Sequence, residues 1–438
     1  MLKIIKQLFL LLLLTQTLNA IDNINYTAEV NLFYATYDDY YNNAEKISLF
    51  DKESSIGEFG LQVGASADIT EWLDGGFILA GTSPLGMQNF MIDGTFTGSM
   101  KTRAWVNEAW VGVKFKRTSL KIGRMQIDTP FLFSEDWSVV PESFESIVLY
   151  SNEIPDTVVY LAAVGKYNGP SVLNGGYADY YFDDRDISHV ANDSIFQEFN
   201  NKGSIAIGAV NASIENLTVQ GWYYGVDTDP KATDTLKLDS MKSYWLQADL
   251  ELEDKEENGY LAGLQYCSTD YAYEQSSTND VFGLMIGYAH KNLFSVKLSY
   301  TNVGDDKVNN VGAGKNLAGN QSRLYTEAWW AYGVIVRNDT QAYNLSVKFS
   351  PKDYIVGAYY TQAKNKDGFA AGTVYQSDAD LVELTLEFSK NIKFNESYGD
   401  LDIGLFYLYT NYANDNQPSL VQKGRPYNSI HLDFTYNF

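Results

Sequence analysis

Apolar and polar residues alternate along much of the chain with a period of two. In residues 61–69, LQVGASADI, every odd position is apolar and every even one is small or polar. Similar stretches recur at 244–251 and 343–349, and the chain ends on SIHLDFTYNF, in which apolar residues stand two apart. This period is typical of β-strands whose two faces meet different surroundings. The pattern therefore predicts an all-β protein.

The segments between the predicted strands differ in length. Short polar turns at 70–75, 116–119, 152–156, 253–259 and 350–353 alternate with long polar loops at 38–55, 84–102, 128–145, 167–202, 226–239, 304–321, 364–377 and 411–426. Outer-membrane barrels have short turns on one side and long loops on the other. Predicted strands of about 9–13 residues fit a tilted strand that crosses the hydrocarbon layer. The spacing predicts a transmembrane antiparallel β-barrel with short periplasmic turns and long external loops.

The number of strands depends on how residues 324–337 are interpreted. Counting this aromatic-rich stretch as a strand gives an odd total, which cannot place both termini in the periplasm. We interpret it as the returning end of a long external loop and place the strand at 341–349, which gives about 18 strands, an even number. A soluble sandwich or propeller also alternates. However, the chain is long for one sandwich and shows no repeat of about 40–50 residues.

The first twenty residues, MLKIIKQLFLLLLLTQTLNA, have the parts of a secretory signal peptide. Lys3 and Lys6 precede an apolar core at 8–14, and Ala20 supplies the small residue for cleavage. The apolar run is shorter than the about 20 residues that a transmembrane helix needs. We expect residues 1–20 to be removed and residues 21–438 to form one barrel domain.

The chain is strongly acidic, with 32 basic and 55 acidic residues and a net charge of −23. Without the two lysines of the predicted signal peptide, 30 bases remain against 55 acids. Such a protein repels nucleic acid, which argues against a nucleic-acid partner and leaves cations and neutral solutes open. The single cysteine, Cys267, allows neither an internal disulfide nor a site with several thiol ligands.

Motifs for catalysis or metal binding are weak. None of the three histidines, His189, His290 and His431, lies in a nucleophile motif, so we predict that the protein is not an enzyme and needs no cofactor. One acidic stretch could hold a structural Ca²⁺, which takes six to eight oxygen ligands. It lacks the spacing of a calcium-binding loop, and a solvated loop is the alternative. The candidate ligands there are Asp183, Asp184 and Asp186.

Strand parity predicts which charged side chains face the lumen. Nine acids and four bases fall on the inward face, so the predicted wall is net negative. Charges act over about 8 Å at physiological salt, and a negative wall concentrates cations. The alternative is that these charges only solvate the lumen and pair across strands. The inward set is Glu29, Asp68, Glu108, Lys114, Lys121, Asp249, Glu251, Lys297, Lys348, Glu383, Glu387, Asp402 and Asp433.

Two segments resemble the OprD-like (Opr) outer-membrane porins. The last strand ends on Phe438, as the terminal strands of outer-membrane barrels do, and residues 120–169 carry the more specific likeness. The resemblance implies an 18-stranded barrel whose loop after the fifth strand folds inward and narrows the pore. Within LKIGRMQIDTPFLFSEDWSVVPESFESIVLYSNEIPDTVVYLAAVGKYNG the matching residues are Ile122-Gly123-Arg124, Thr129-Pro130, Pro141, Phe144 and Asp156-Thr157.

By this resemblance, the constriction loop comprises residues 128–145. Many relatives carry arginines in or near this loop, which form a basic ladder for carboxylates. In this chain no base lies between Arg124 and Lys166, and the loop is acidic. We therefore expect cation preference rather than carboxylate specificity. The predicted constriction residues are Arg124, Asp128, Glu135, Asp136, Glu142 and Glu145.

Together these features predict a porin of the bacterial outer membrane, in which small hydrophilic solutes and ions diffuse through a water-filled, cation-preferring lumen. A substrate-specific channel of the same fold is one alternative and would need a fixed binding ladder at the constriction. A surface structural protein or adhesin, whose long loops bind other molecules, is an alternative from another class. The expected partners are outer-membrane lipid and lipopolysaccharide. A monomer and a homotrimer both stay open.

Overall fold

The structure is a computed structural model. It describes residues 22–38, 47–94, 102–135, 139–168, 196–199, 203–227, 240–253, 258–273, 275–291, 293–309, 311–319, 321–366, 379–394, 399–413 and 426–438. In these ranges no helix is long and apolar enough to cross a membrane. The predicted signal peptide, residues 1–20, lies outside the described residues. The same is true of Asp136, Asp183, Asp184 and Asp186.

Eighteen strands build the described fold. Their residues are β1 (Asp22–Tyr37), β2 (Ser55–Thr70), β3 (Leu73–Ser83), β4 (Arg103–Phe115), β5 (Thr118–Met125), β6 (Phe144–Ser151), β7 (Thr157–Tyr167), β8 (Ser204–Ile214), β9 (Leu217–Asp227), β10 (Ser240–Glu253), β11 (Asn258–Ala272), β12 (Ser277–His290), β13 (Phe294–Val303), β14 (Thr340–Phe349), β15 (Tyr354–Asn365), β16 (Ala379–Lys393), β17 (Asp400–Ala413) and β18 (Tyr427–Asn437). A two-residue strand, Gln197–Glu198, extends the sheet at the end of β7. One turn of 3-10 helix, Lys52–Ser54, precedes β2.

The strands form one closed antiparallel sheet. Each pairs with its neighbours in sequence, and β1 pairs with β18 as well as with β2. At this closure Glu29 lies opposite Asn437, and Tyr37 lies opposite Ser429. A closed sheet leaves no strand edge unpaired, which a β structure in hydrocarbon requires. The predicted barrel of 18 strands is confirmed.

Exposure separates the two faces of the wall. On β10, Leu246 is 57% exposed, whereas its neighbour Trp245 is fully buried. Leu264 on β11 and Leu298 on β13 repeat the pattern of exposed apolar residues at every second position. The side chains between them contact chain segments inside the barrel. The exposed apolar residues therefore form the outer, lipid-facing surface, and their sequence neighbours face the lumen.

Residues 126–135 and 139–143, called lumen loop A, lie inside the barrel between β5 and β6. Phe131, Leu132 and Phe133 in this loop are buried. Farther along the chain, Val139 reaches the part of the wall formed by β1, because its carbonyl accepts a hydrogen bond of 2.9 Å from the side chain of Asn31 on that strand. The loop thus crosses the lumen. Since β6 begins at Phe144, Glu145 belongs to the wall and not to the loop.

Residues 304–339, called lumen loop B, connect β13 to β14. The strand placed at 341–349 from the sequence is present as Thr340–Phe349, so the parity argument is correct. The expected external position of the returning segment is wrong. Val334, Ile335 and Val336 are buried within the main hydrophobic core of the barrel, because these apolar side chains pack against the inner wall.

Candidate functional site

The two lumen loops are bonded to each other. Loop B contributes Asn316, whose side chain donates to the carbonyl of Phe133 (3.0 Å) and accepts from the amide of the same residue (3.3 Å). The carboxylate of Glu135 accepts from the side chain of Asn316 (3.1 Å) and from the backbone amide of Gln321 (2.7 Å). A further backbone bond of 2.8 Å joins Leu317 to Phe131. The loops therefore form one connected body inside the barrel.

Loop A is attached to the wall through an aromatic contact. The ring of Phe131 meets the rings of Tyr224 and Trp245 edge to face, with centroids 5.4 and 5.1 Å apart. Its backbone amide donates to the hydroxyl of Tyr224 at 3.2 Å. Edge-to-face aromatic pairs of this kind favour one geometry, which positions the loop against β9 and β10.

Loop B is attached at two sides of the lumen. On β11, Gln265 donates to the carbonyl of Arg323 (2.8 Å) and accepts from the amide of Tyr325 (3.1 Å). On β16, the carboxylate of Glu383 accepts from the amides of Trp330 (3.1 Å) and Ala331 (2.6 Å). Hydrogen bonds to a charged acceptor are among the stronger ones. Loop B thus spans the lumen between these strands.

An aromatic cluster secures the far end of loop B. Trp330 lies with its ring centroid 4.4 Å from that of His431 on β18, and it stacks on Phe33 of β1 at 6.3 Å. Beside it, Trp329 packs against Phe406 of β17 at 4.3 Å. His431 is fully buried in this cluster. It therefore serves packing between loop B and the strands that close the barrel.

The pairing register places all thirteen predicted pore-lining residues on the inner face. Glu108, for example, accepts from Gln126 of loop A at 2.9 Å. Some of these charges are paired: Lys114 lies 2.7 Å from Asp68 and 3.1 Å from Asp74. Asp74 and the buried Glu58 also belong to the inner face and were absent from the predicted set. Their roles in selectivity stay predictions.

The charges of the inner wall are segregated. The wall from β16 through β18 to β3, called the acidic arc, carries one described base on its inner face, Lys393 at the periplasmic end. All four bases of the predicted inward set lie outside the arc, on β4, β5, β13 and β14. A solute in the lumen therefore meets a negative wall on one side. The acids of the arc that keep some accessible surface are Glu29, Asp68, Glu387, Asp400, Asp402 and Asp433, whereas Glu58, Asp74 and Glu383 lie on the same inner face but are buried.

Loop B supplies cations that the sequence argument did not anticipate. The guanidinium of Arg323 lies 2.7 Å from the carboxylate of Asp128 and 4.1 Å from the ring centre of Phe133. Lys315 has an exposed side chain, yet desolvation by the surrounding protein lowers its pKa. An accessible side chain that the surrounding protein nevertheless desolvates lies in a space enclosed by the barrel. The constriction therefore contains both signs of charge.

Most of the predicted constriction residues do not face this space. Glu135 is 1% exposed and Glu142 is 3% exposed, because the body of loops A and B encloses them. Asp128 differs, since 83% of its side chain is accessible. Arg124 and Glu145 alternate with inward-facing Met125 and Phe144, which puts them on the outer face. There they form an ion pair of 2.8 Å with each other.

We expect removal of the loop cations to strengthen cation preference. Arg323→Gln and Lys315→Gln each remove a positive charge from the constriction. The reversal potential in a salt gradient should therefore shift toward the equilibrium potential of the cation. Lys242→Gln is the matched control, because Lys242 lies on the outer face. An unchanged reversal potential in both loop variants would show that permeating ions do not pass these side chains.

Comparison of the fold identifies its type. No protein-family model matches the sequence, and no curated protein matches it. Solved outer-membrane channels do match. OccAB1 of Acinetobacter baumannii has 15% identity and a TM-score of 0.70, covering 96% of this chain and 98% of its own. OccK2 (OpdF) of Pseudomonas aeruginosa, solved with glucuronate, has 12% identity and a TM-score of 0.71, covering 95% and 98%.

A third structure agrees with these two. Pseudomonas aeruginosa OpdK, solved with vanillate, has 12% identity and a TM-score of 0.69, and the match covers 95% of this chain and 99% of OpdK. The strand number, the closure of the sheet and the lipid-facing apolar surface lead to the same type of protein. The chain therefore has the fold of the Occ, or OprD-like, outer-membrane channels.

Proposed function

We propose that the protein is a porin through which small hydrophilic solutes diffuse, and that it prefers cations. The observation that carries the proposal is the acidic arc, in which six adjacent strands place carboxyl groups on the inner face of the wall with one base among the described residues. A closed barrel with a polar, charged interior is suited to holding water. The arc supports a cation preference because a wall of one sign raises the local concentration of counter-ions.

The magnitude of screening supports the same conclusion. At physiological salt, charges act over about 8 Å, which is comparable to the space left between a wall and a loop inside a barrel. The loop cations Arg323 and Lys315 weaken the negative potential locally. Arg323 is paired with Asp128, and Lys315 lies near Glu135, so neither reverses the sign of the whole lumen.

A substrate-specific channel is the second candidate. The structures of OpdF and OpdK were solved with glucuronate and vanillate, which shows that those proteins bind these molecules. In this chain the favouring observation is Arg323, whose guanidinium is 48% exposed beside Asp128 and is fixed on the ring of Phe133. A guanidinium held in this position can bind the carboxylate of a solute in place of Asp128. Flux that saturates with one solute would favour this candidate over general diffusion.

The cation preference is tested by neutralising two carboxylates of the acidic arc. We expect Glu387→Gln combined with Asp402→Asn to lower the cation preference, measured as the reversal potential across a tenfold salt gradient, because both acids face the lumen. The matched control is Asp270→Asn with Asp280→Asn, since these carboxylates lie on the outer face. Raising the salt to about 1 M should remove the difference between the arc variant and the wild type, because the screening length falls to about 3 Å.

Two results would count against this proposal. An anion preference in the wild type would mean that the arc does not control the permeating ions. A preference that is the same in the arc variant and in the wild type would place the selective charges elsewhere in the lumen.

A further inference from the structure

Glu327 is the internal tie of lumen loop B. One of its carboxyl oxygens is bonded to the hydroxyl of Ser322, and the other accepts from the backbone amide of Gly333 at 3.2 Å. Residues 322–333 are thereby held as one compact turn. This turn carries the wall attachments of loop B, namely Arg323 and Tyr325 on one side and Trp330 on the other. The carboxyl group of Glu327 therefore joins the two ends of the segment that is attached to the wall.

The groups around Glu327 are mostly of its own sign. Glu135 faces it from loop A, and Glu383 faces it from β16 of the wall. Both already accept hydrogen bonds from loop B: Glu135 from Gln321 and Glu383 from Ala331. In the described residues, Glu327 has no ion pair with a base. Ionised Glu327 would therefore add a further negative charge to an enclosed group of carboxyls.

This arrangement favours the neutral form. Burial, aided by Glu135 and Glu383, raises the pKa of Glu327 to about 8 from a usual value of 4.5, although its bonds to Ser322 and Gly333 act in the opposite direction. In the unfolded loop the carboxyl titrates at the usual value. Because the pKa of Glu327 is raised in the folded loop, the stabilisation that its carboxyl group gives the loop is complete at a pH below the unfolded pKa. This stabilisation is lost as the pH rises through the folded pKa.

We propose that Glu327 is a proton-operated latch, which keeps lumen loop B compact across the pore while protonated and loosens it on ionisation. The proposal rests on the proposed channel function, because loop B then regulates conduction. Ionisation of Glu327 places a negative charge in a buried site beside the carboxyl groups of Glu135 and Glu383, and opening of the turn at 322–333 would return that charge to water. Alkaline conditions should therefore widen the path or make the current fluctuate.

The test is single-channel recording from about pH 6 to about pH 10. The wild type should gain conductance or gating noise with a midpoint near pH 8, the pKa of Glu327. Glu327→Gln should stay at the low-pH level throughout, because glutamine reproduces the neutral carboxyl. Lys315→Gln should retain the transition, which separates the latch from the nearby lysine. A transition that persists in Glu327→Gln would overturn the proposal.

A second measurement does not require conduction. Hydrogen exchange of the wild type should show loss of protection at the amides of Trp330, Ala331 and Gly333 near pH 8, beyond the rise expected from intrinsic chemistry. Unchanged protection would overturn the latch. If the protein formed no channel at any pH, the proposed function would fail, while the exchange data would still report on the latch.

Discussion

Replacing residues 305–338 by a short flexible linker should raise the single-channel conductance several-fold. Loop B crosses the lumen from β11 to β16 and carries Trp329 and Trp330 to the strands that close the barrel. Its removal leaves the wall intact, because β13 and β14 are adjacent antiparallel strands that a short turn can join. Loop A should keep its position through Phe131, so part of the constriction remains.

Weaker variants provide the control for this deletion. Trp330→Ala removes the edge-to-face contact with His431 and the stacking on Phe33, and it should give a smaller conductance increase with more current noise than the deletion. Slower migration of the heated sample on a detergent gel would show that each barrel is folded. If the deletion variant were folded and conducted like the wild type, loop B would not narrow the conducting path.

A lipid-facing arginine should have the largest effect on stability. Leu246 lies in the middle of β10 on the outer face, so Leu246→Arg should lower the free energy of unfolding by about 2–4 kcal/mol, the cost of arginine near the membrane midplane. Gln247→Arg should be tolerated, because position 247 faces the lumen beside Asp249. Denaturant unfolding in lipid vesicles measures both variants.

The pair of neighbouring positions makes this comparison stringent. Both variants introduce the same side chain, and the positions differ by one residue on one strand. A one-residue shift in register would exchange the two faces of the wall. Equal destabilisation by the two variants would therefore show that the assignment of inner and outer faces is wrong.

The strands of the barrel wall and their two faces could be predicted from the sequence, because the alternation of apolar and polar residues is a local pattern. Strict alternation, as in residues 61–69, fixes the two faces without knowledge of any partner strand. The parity of termini then decided between two positions for the strand before the turn at 350–353, and the structure has it at Thr340–Phe349. The same rule assigned thirteen charged residues to the lumen, and the pairing register puts them on the inner face, while their lining of a conducting pore stays a prediction.

Alternation could also have excluded Arg124 from the pore. Lys121 and Arg124 lie three residues apart on β5, and an odd spacing puts them on opposite faces of a strand. Assigning both to the lumen was inconsistent. Lys121 does face inward, with its ammonium 3.9 Å from the ring centre of Trp110. The signal was present, and the family resemblance outweighed it.

The positions of the lumen loops were harder to predict from the sequence, since the residues that they contact are distant in sequence. Nothing in residues 128–145 reveals that Glu135 binds the amide of Gln321, which is far along the chain. Loop B did contain a usable signal, because Trp329, Trp330 and Ile335 are large apolar residues that a loop exposed to solvent would have little use for. That signal would have predicted a second loop packed inside the barrel.

The resulting picture combines a negative wall with a mixed constriction. Under the proposed function, the acidic arc attracts cations along one side of the lumen, while Arg323 and Asp128 present both signs of charge at the loops. Such an arrangement creates a field across the lumen that orients polar solutes. It accounts for a general preference among ions without requiring a basic ladder.

The central claim, that the lumen conducts, is tested most directly by adding the purified protein to a planar lipid bilayer. The account predicts stepwise current increases of uniform size and, in a tenfold salt gradient at low ionic strength, a reversal potential on the cation side. A folded, heat-modifiable barrel that inserted and produced no current steps would contradict it.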